Sequence, residues 1–406
     1  MITELAWRNI WRQPRRTLLS SLAIAFTSAF LIFMPSLQYG SYIAMVENTL
    51  RLYDGYAEIQ QSGYRDNPEI RNSFVATDSL LEKLHTHSSI STVSQRAISF
   101  TLLASEQRSF GAQIVGVEHV AEQKVSSIPG NIKQGRFLNS DTAAEIVLGS
   151  TLAKNLKVKL GDQVTLLSNG RNGSLAADSL TLVGIFSTGI PSMDRLMAEM
   201  PLQRFQQTFS MQQQIHSIVL TGEDISSFQL AMPDIKSIAE QHRLTALDWM
   251  QLQPGLMKGI LLDITTALPL YIAMIIIVAF SLLNSVFMSV LERTREFGVL
   301  LSLGMKPAKI ARMVWIETLI LIIFGVSLGM LLGYALTEYY SINGIHFEQA
   351  QDIFKEYGLP SSMYPQLSAF TLLAAPLLIG FTILISCIIP VIRIYKMQPV
   401  ESMRAV

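Results

Sequence analysis

ALPLYIAMIIIVAFSLLNSVFMSVL, residues 267–291, runs directly into ERTREFGVLLSLGMKPAK, residues 292–309. The first stretch holds no Asp, Glu, Lys or Arg over 25 residues. About 20 consecutive apolar residues suffice for a helix to cross the hydrocarbon of a bilayer. The second stretch turns abruptly to charge, then to mixed apolar and small residues. A membrane-crossing helix followed by a short amphipathic helix is the reading on which the rest of the chain is organised.

Three more runs have the same character: Leu18–Ile43, Ile310–Leu336 and Leu367–Ile392. None carries a charge at its centre, and Glu317 lies near one end of the third span. The composition agrees. Half of the 406 residues are hydrophobic and 15% are charged, against about 25% charged in soluble chains. Mean hydropathy is +0.35. The formal net charge of zero gives no sign of a nucleic-acid partner. The single cysteine, Cys387, sits in an apolar run and offers neither an internal disulfide nor a Cys-based metal site. It is expected to be a small lipid- or core-facing residue. The fold class is therefore integral membrane α-helical, with four transmembrane helices split one plus three. A large domain is inserted between the first and second. The plan is an interfacial segment 1–17, span 18–43, inserted domain 44–266, span 267–291, loop 292–309, span 310–340, loop 341–366, span 367–392 and tail 393–406.

Orientation follows from Lys and Arg near the spans. Arg8, Arg12, Arg15 and Arg16 precede the first span. Arg293, Arg295, Lys306 and Lys309 lie between the second and third, and Arg393, Lys396 and Arg404 follow the fourth. The loop 341–366 has only Lys355 against Glu348, Asp352 and Glu356. Both termini and the loop 292–309 are expected in the cytoplasm, with the inserted domain outside. The first apolar stretch is too long for a cleaved signal and no small-x-small cleavage site follows it. Before it, Trp7, Ile10 and Trp11 share one helical face and Arg8, Arg12 and Arg15 another, and Pro14 interrupts. Such a helix lies in the headgroup layer with its indoles at the interface, as a topology anchor or as a mechanical elbow.

In the loop 292–309, helical i,i+3 spacing allows Glu292–Arg295 and Arg293–Glu296 pairs. Phe297, Leu300, Leu301 and Leu303 supply apolar surface. Gly304 suits the position after a helix end and Pro307 the first turn of the next helix. Either this helix docks on a soluble partner or it only connects two spans. In the third span Gly325, Gly329 and Gly333 recur every four residues, a pattern that lets another helix approach closely, within the chain or from a second subunit. Asn284 of the second span, with Ser281 and Ser285 nearby, is expected to face another helix rather than lipid.

The inserted domain reads as α+β, with two lobes. Strand patterns fall at Tyr56–Gln61, Val93–Ala104, Gly111–Val117, Val164–Leu167, Leu180–Ile185 and Ile215–Leu220. Helical patterns fall at Asp78–His85, Ser150–Leu156, Met200–Phe209 and Ile225–His242. The sequence holds no Gly-x-x-x-x-Gly-Lys-Ser/Thr phosphate loop and no nucleophile elbow. His85 and His87 lack a third ligand nearby, so they do not define a metal site. The chain is expected to be no enzyme by itself and to bind no cofactor.

Glu292-Arg-Thr-Arg-Glu-Phe-Gly-Val-Leu-Leu-Ser-Leu-Gly-Met305 resembles the signature of FtsX-like ABC permeases of the MacB and lipoprotein-releasing LolC/LolE type, the type VII or mechanotransmission group. Leu5-Ala-Trp-Arg-Asn-Ile-Trp-Arg-Gln-Pro-Arg-Arg-Thr-Leu18 and the tail, Pro390–Arg393 with Gln398–Arg404, resemble the same family. Gly135–Leu138, Glu145–Gly149 and Leu160–Val164 look like pieces of its periplasmic domain. The resemblance implies that Glu292–Gly304 is a coupling helix resting on a cytoplasmic ABC ATPase. Glu292, Arg293, Arg295, Glu296, Phe297, Gly298, Leu301 and Gly304 would be its working residues, with ATP and Mg held by that partner. It also implies a second permease subunit (the same chain or a relative), a periplasmic carrier or adaptor, and residence in the inner membrane.

The function so implied is force transmission to the periplasmic side, where an amphipathic cargo, a lipoprotein or a lipid, is moved at the outer leaflet. The charge-free spans agree with a machine that passes no ion through the membrane. Two alternatives stand: export of a peptide or drug with an adaptor and an outer-membrane channel, and control of a cell-wall hydrolase.

Overall fold

A computed structural model describes residues 2–12, 14–346 and 362–395. Lys355 with its acidic neighbours, and the tail motif from Gln398 to Arg404, lie outside the described residues. The chain divides into two compact units, one of residues 1–43, 259–346 and 362–406, the other centred on Ala44–Lys258.

In the first unit, helix α1 (Ile2–Arg12) precedes α2 (Pro14–Thr49). Helices α10 (Pro254–Glu292), α11 (Thr294–Ser302) and α12 (Pro307–Asn343) follow the inserted domain, and α13 (Ala369–Ser386) and α14 (Ile388–Tyr395) complete the unit. Four helical stretches are long and apolar enough to cross a membrane: Pro14–Asp54, Pro254–Glu292, Pro307–Asn343 and Ala369–Tyr395. At 1.5 Å per residue the 37 residues of α12 extend about 55 Å, well beyond a hydrocarbon layer of about 30 Å. Apolar residues occupy both sides of these helices. Ile24, Leu31, Leu282, Val286, Val314, Ile322, Ile379, Ile383 and Cys387 form the buried core. Phe26, Ile277, Phe280, Phe324, Leu331 and Phe381 point outward and are more than half exposed. A soluble helix would place polar groups there, and only a lipid or protein surround satisfies such a face.

Local signals set the ends of these helices. Pro307 occupies the first turn of α12, where its missing N–H costs nothing. Gly304, at φ +89°, ends α11. Its N–H reaches the Leu301 carbonyl at 3.0 Å, and that of Met305 reaches Leu300 at 3.0 Å. Ser368 and Thr371 form a reciprocal cap at the start of α13. Near the other end of the bundle, the Asp263 carboxylate accepts from Gln38 at 2.7 Å and Tyr42 at 2.5 Å, tying α10 to α2. A short pair, β13 (Ile345–His346) with β14 (Ser362–Met363), lies in the same unit.

The inserted domain is built on one ten-stranded sheet. Its strands are β1 (Ala57–Gln61), β3 (Thr92–Ala104), β4 (Ser109–Val117), β5 (Ile132–Gly135), β6 (Glu145–Gly149), β7 (Gln163–Asn169), β8 (Leu175–Phe186), β9 (Met197–Pro201), β11 (Ser217–Thr221) and β12 (Leu244–Asp248). A separate pair joins β2 (Phe74–Val75) to β10 (Gln214–Ile215). Strand pairing runs β3–β4–β9–β6–β8–β7 and back to β3, which closes a six-stranded barrel. Closure leaves none of these six as a free edge. From β3 the sheet continues through β11 and β1 to β12, and β5 extends it beyond β8. Helices α3 (Asp78–His85), α4 (His119–Val125), α5 (Ser150–Leu156), α6 (Pro191–Leu196), α7 (Leu202–Thr208), α8 (Ile225–Gln241) and α9 (Trp249–Leu252) surround it.

The α+β class holds, but the two expected lobes share one continuous sheet. A strand, β9, occupies Met197–Pro201, where the sequence pattern starts a helix at Met200. The helix begins only at Leu202, after Pro201. Every residue of β9 is buried, so it lacks the period-two alternation that reveals a half-exposed strand.

Candidate functional site

Helix α11 is the short element between the second and third long apolar helices. Phe297, fully buried, and Gly298 turn into the bundle, with Leu300 and Leu301 packed partly against the same core. Arg295, Glu296, Val299 and Leu303 face outward, Leu303 at 78% exposure. The helix is thus anchored on one side and offers a mixed apolar and charged stripe on the other.

Arg293, at the start of α11, is the anchor's charged part. Its guanidinium lies 5.0 Å from the Phe297 ring centre and 3.4 Å from Glu296. It also donates to Glu317 of α12 at 3.0 Å. Glu317 accepts in addition from Asn9 of α1 at 2.7 Å. Arg12 of α1 reaches Glu296 at 2.7 Å, and Arg16 of α2 reaches Glu292 at 3.2 Å and Ser285 at 3.0 Å. These groups line a polar cleft of about 250 Å³. The Arg12–Glu296 pair is exposed, and pairs of that kind contribute little. The Arg293–Glu317 pair is shielded, with side chains 14% and 13% exposed.

The expected Glu292–Arg295 pair does not form. Helix α10 ends at Glu292 and α11 starts at Thr294, so the i,i+3 geometry is broken between them. Arg295 is exposed and makes no ion pair among the described residues. Arg293–Glu296 does form. The sequence reading missed the place of Glu317: a charged residue at the edge of an apolar run was its only sign.

Helix α1 packs on α12 through Ala6, which is fully buried. Trp7 and Trp11 stand edge to face at 6.0 Å and are 53% and 63% exposed, with Arg8 and Arg12 also exposed. Gly325, Gly329 and Gly333 face α2. A Cβ on Gly325 would lie 2.7 Å from the Ile24 Cβ, and one on Gly333 would lie 3.0 Å from the Ile32 Cβ. A Cβ on Gly329 would lie 2.5 Å from the Ser28 Cβ. The stripe is a seam between helices of this chain. Asn284, expected against another helix, is exposed on α10 within this chain and has no hydrogen-bond partner among the described residues. Its neighbours Leu282, Val286 and Val290 take the inward face of the helix.

The inserted domain holds a polar core that no sequence pattern announced. Arg96 of β3 and Glu122 of α4 are both fully buried and doubly bonded, at 2.5 and 3.0 Å. His216, also fully buried, stacks on Tyr64 at 5.1 Å and accepts at Nδ1 from the Ile98 N–H at 2.8 Å. Burial pushes its imidazole down to about 4, which keeps it neutral. Asp178 accepts from Arg204 and Thr208, and these bonds hold its carboxyl below its ordinary range despite partial burial. Among the described residues no group of His, Cys, Asp and Glu is placed to hold a metal ion.

Two family models match this chain. Residues 17–238, more than half of it, match the MacB-like periplasmic core domain, and residues 270–399 match the FtsX-like permease C-terminal region. The chain is 24% identical over 317 residues to the lipoprotein-releasing system transmembrane protein LolC of Neisseria meningitidis, covering 75% of each. It is 24% identical over 346 residues to the macrolide export ATP-binding/permease protein MacB of Campylobacter jejuni, covering 81% of this chain and 52% of that relative. The crystal structure of the periplasmic region of MacB from Actinobacillus actinomycetemcomitans superposes with a TM-score of 0.39 at 17% identity, over 52% of this chain and 96% of that one. The four long apolar helices, the large domain inserted after the first and the two matched regions lead to one conclusion: this chain belongs to the FtsX/MacB-like superfamily of ABC-transporter permeases.

Proposed function

We propose that this chain is the permease subunit of an ABC machine that receives force from a separate cytoplasmic ATPase at α11. In this reading the periplasmic domain uses that force to extract or move an amphipathic cargo, a lipoprotein or a lipid, at the outer leaflet. The observation that carries the proposal is the two-sided build of α11. Phe297 and the Arg293–Glu317 pair fix it to the bundle, while Arg295, Val299 and Leu303 remain exposed. A rigidly held helix with an uncovered apolar and cationic stripe can pass displacement from a partner to the spans. In this reading the ATPase holds ATP and Mg, and a second permease subunit completes the assembly. Both termini and α11 lie on the cytoplasmic side, by the Lys and Arg excess around them. Lipoprotein or lipid is favoured because a relative named for lipoprotein release aligns over three quarters of both chains.

Co-purification from membranes with the cognate ATPase tests this. Val299→Glu and Leu303→Glu alter only exposed positions and should leave the permease folded while abolishing ATPase capture. Retained capture by both variants would overturn the role of α11. For cargo, spheroplasts depleted of the chain should retain acylated lipoproteins in the inner membrane. Unchanged lipoprotein sorting with lost export of an amphipathic peptide or drug would replace this cargo with the export reading.

A further inference from the structure

The first long helix does not end in an ordinary cap. After Thr49 it passes into a π-helical turn, Leu50–Asp54, closed by a bond of 2.9 Å from the Gly55 N–H to the Leu50 carbonyl. Turns of this type cost hydrogen-bond geometry and concentrate at functional positions. The inserted domain grips this one through its exposed carbonyls. Ser126 Oγ donates to Leu52, the Ser127 N–H donates to Arg51, and Arg96 Nη1 donates to Tyr53 at 2.7 Å. The Arg96 guanidinium also lies 4.1 Å from the Tyr53 ring centre. Its Nε and Nη2 are committed to Glu122, so of the Arg96 nitrogens Nη1 is the one that holds the turn, beside Ser126 Oγ and the Ser127 N–H.

Beside this clamp sits Glu199 of β9. It is fully buried, and neither of its carboxylate oxygens has a hydrogen-bond partner among the described residues. Sheet register puts it on the face that carries Arg96. Arg96 pairs with Val117 and Glu199 with Val115, and Val115 and Val117 lie on one side of β4. That face holds an apolar cluster of Val115, Val117, Val147 and Met197, with Tyr53 and Ile98 against it. A charged carboxylate cannot persist there without a partner. Among the described residues the cation acting on Glu199 is Arg96, and its anionic neighbour is Glu122.

We propose that an ionised Glu199 draws Arg96 Nη1 away from the Tyr53 carbonyl, a carboxylate being the stronger acceptor, so that the π turn is a proton-linked joint. With Glu199 protonated, Nη1 holds the Tyr53 carbonyl and the turn is closed. When Glu199 gives its proton to solvent, its carboxylate takes Nη1, and the Tyr53 carbonyl is released. Burial and the charge of Glu122 raise the Glu199 pKa well above the ordinary value, so the closed state is the protonated one. The closed turn is therefore favoured at low pH and lost as pH rises through that pKa. Other titratable or charged groups around the cluster are Tyr53 and Asp54 on the turn, Glu58 on β1, Glu122 on α4, and Arg65. Of these, Asp54 and Glu58 are carboxyls that burial also raises, Glu58 to about 7, so their titration would resemble that of Glu199. The joint is independent of cargo and of the ATPase.

Hydrogen exchange of the full-length chain in nanodiscs, corrected for intrinsic rates, tests it at residues 50–56. Exchange at Gly55 should be slow at low pH and rise by up to about tenfold per pH unit once Glu199 ionises. Glu199→Gln and Glu199→Leu should remove the rise and stay protected, and Glu58→Gln and Asp54→Asn should keep it. A rise that survives both Glu199 variants, or no rise in the wild type up to about pH 9, would overturn the joint. Should both variants fail to fold, infrared difference spectra of the wild type decide. A protonated-carboxyl band that titrates away together with Gly55 protection supports the joint, and its absence at low pH refutes it.

Discussion

Arg293 donates through Nη1 to both carboxylate oxygens of Glu317, at 3.1 and 3.0 Å, and so binds the start of α11 to the flank of α12. Asn9 of α1 adds a third hydrogen bond to the same carboxylate. Helix α1 and the consecutive helices α11 and α12 therefore meet at one acidic side chain. This junction fixes how stiffly α11 is held, and stiffness is what the proposed coupling role requires.

Glu317→Ala should lower stability by about 1–3 kcal/mol, because it leaves the shielded Arg293 charge with only the more exposed Glu296 as its ionic partner. Thermal unfolding in detergent measures the loss. The double variant Arg293→Met with Glu317→Met removes both charges and should recover most of it. Equal melting temperatures for the single variant and the wild type would show that the pair does not hold the junction.

Gly329→Val should be more damaging than its volume alone implies. A Cβ at this position meets the Ser28 Cβ at 2.5 Å and the Ala25 carbonyl oxygen at 2.6 Å. Backbone cannot yield as a side-chain tip can, so the cost should reach about 3 kcal/mol, the top of the usual overpacking range, or more. Gly259→Ala is the control, since nothing lies within 4 Å of a Cβ there. The yield of folded protein and its trypsin resistance should fall for the first and stay unchanged for the second.

Acid should weaken the inserted domain through His216. Its folded pKa of about 4 lies below the ordinary 6.5. Its contribution is therefore fully present above 6.5 and is lost as pH falls toward 4, by roughly 3 kcal/mol in all. Glu58 acts in the opposite sense: raised from 4.5 to about 7, it contributes below 4.5 and the contribution is lost as pH rises to about 7. Denaturant unfolding of the full chain across this range should show a smaller acid loss for His216→Gln and a smaller loss toward neutrality for Glu58→Gln. Parallel slopes in variant and wild type would contradict the assignment.

The membrane helices were legible because hydropathy is a property of consecutive residues. A run such as 267–291 is apolar whatever it packs against. The α11 segment was legible for the same reason: Gly304 and Pro307 punctuate it locally. Which face of α11 is anchored was not legible, since Phe297, Leu301 and Leu303 are equally apolar in sequence. Phe297 is fully buried and Leu303 is 78% exposed only because α10 breaks at Arg293, and that break sets the rotation of α11 about its own axis. The place of Asn284 within the chain was not legible on similar grounds. A polar residue in a span calls for a partner, but the chain turns its apolar neighbours inward and leaves Asn284 on the surface.

By itself, then, the sequence determined the four apolar helices, the one-plus-three plan, the α+β character of the insert and the short helix between the second and third spans. Each rests on composition or on periodicity within a few turns of chain. Tertiary structure alone decided that the glycine seam meets α2, that Glu317 receives Arg293 and Asn9, and that six strands close into a barrel. It also brought Arg96 and Glu199, about a hundred positions apart, to one face of one sheet beside the turn that ends the first long helix. Ionic and barrel contacts of this kind depend on strand pairings across long loops, and no local pattern of residues encodes which strands will meet.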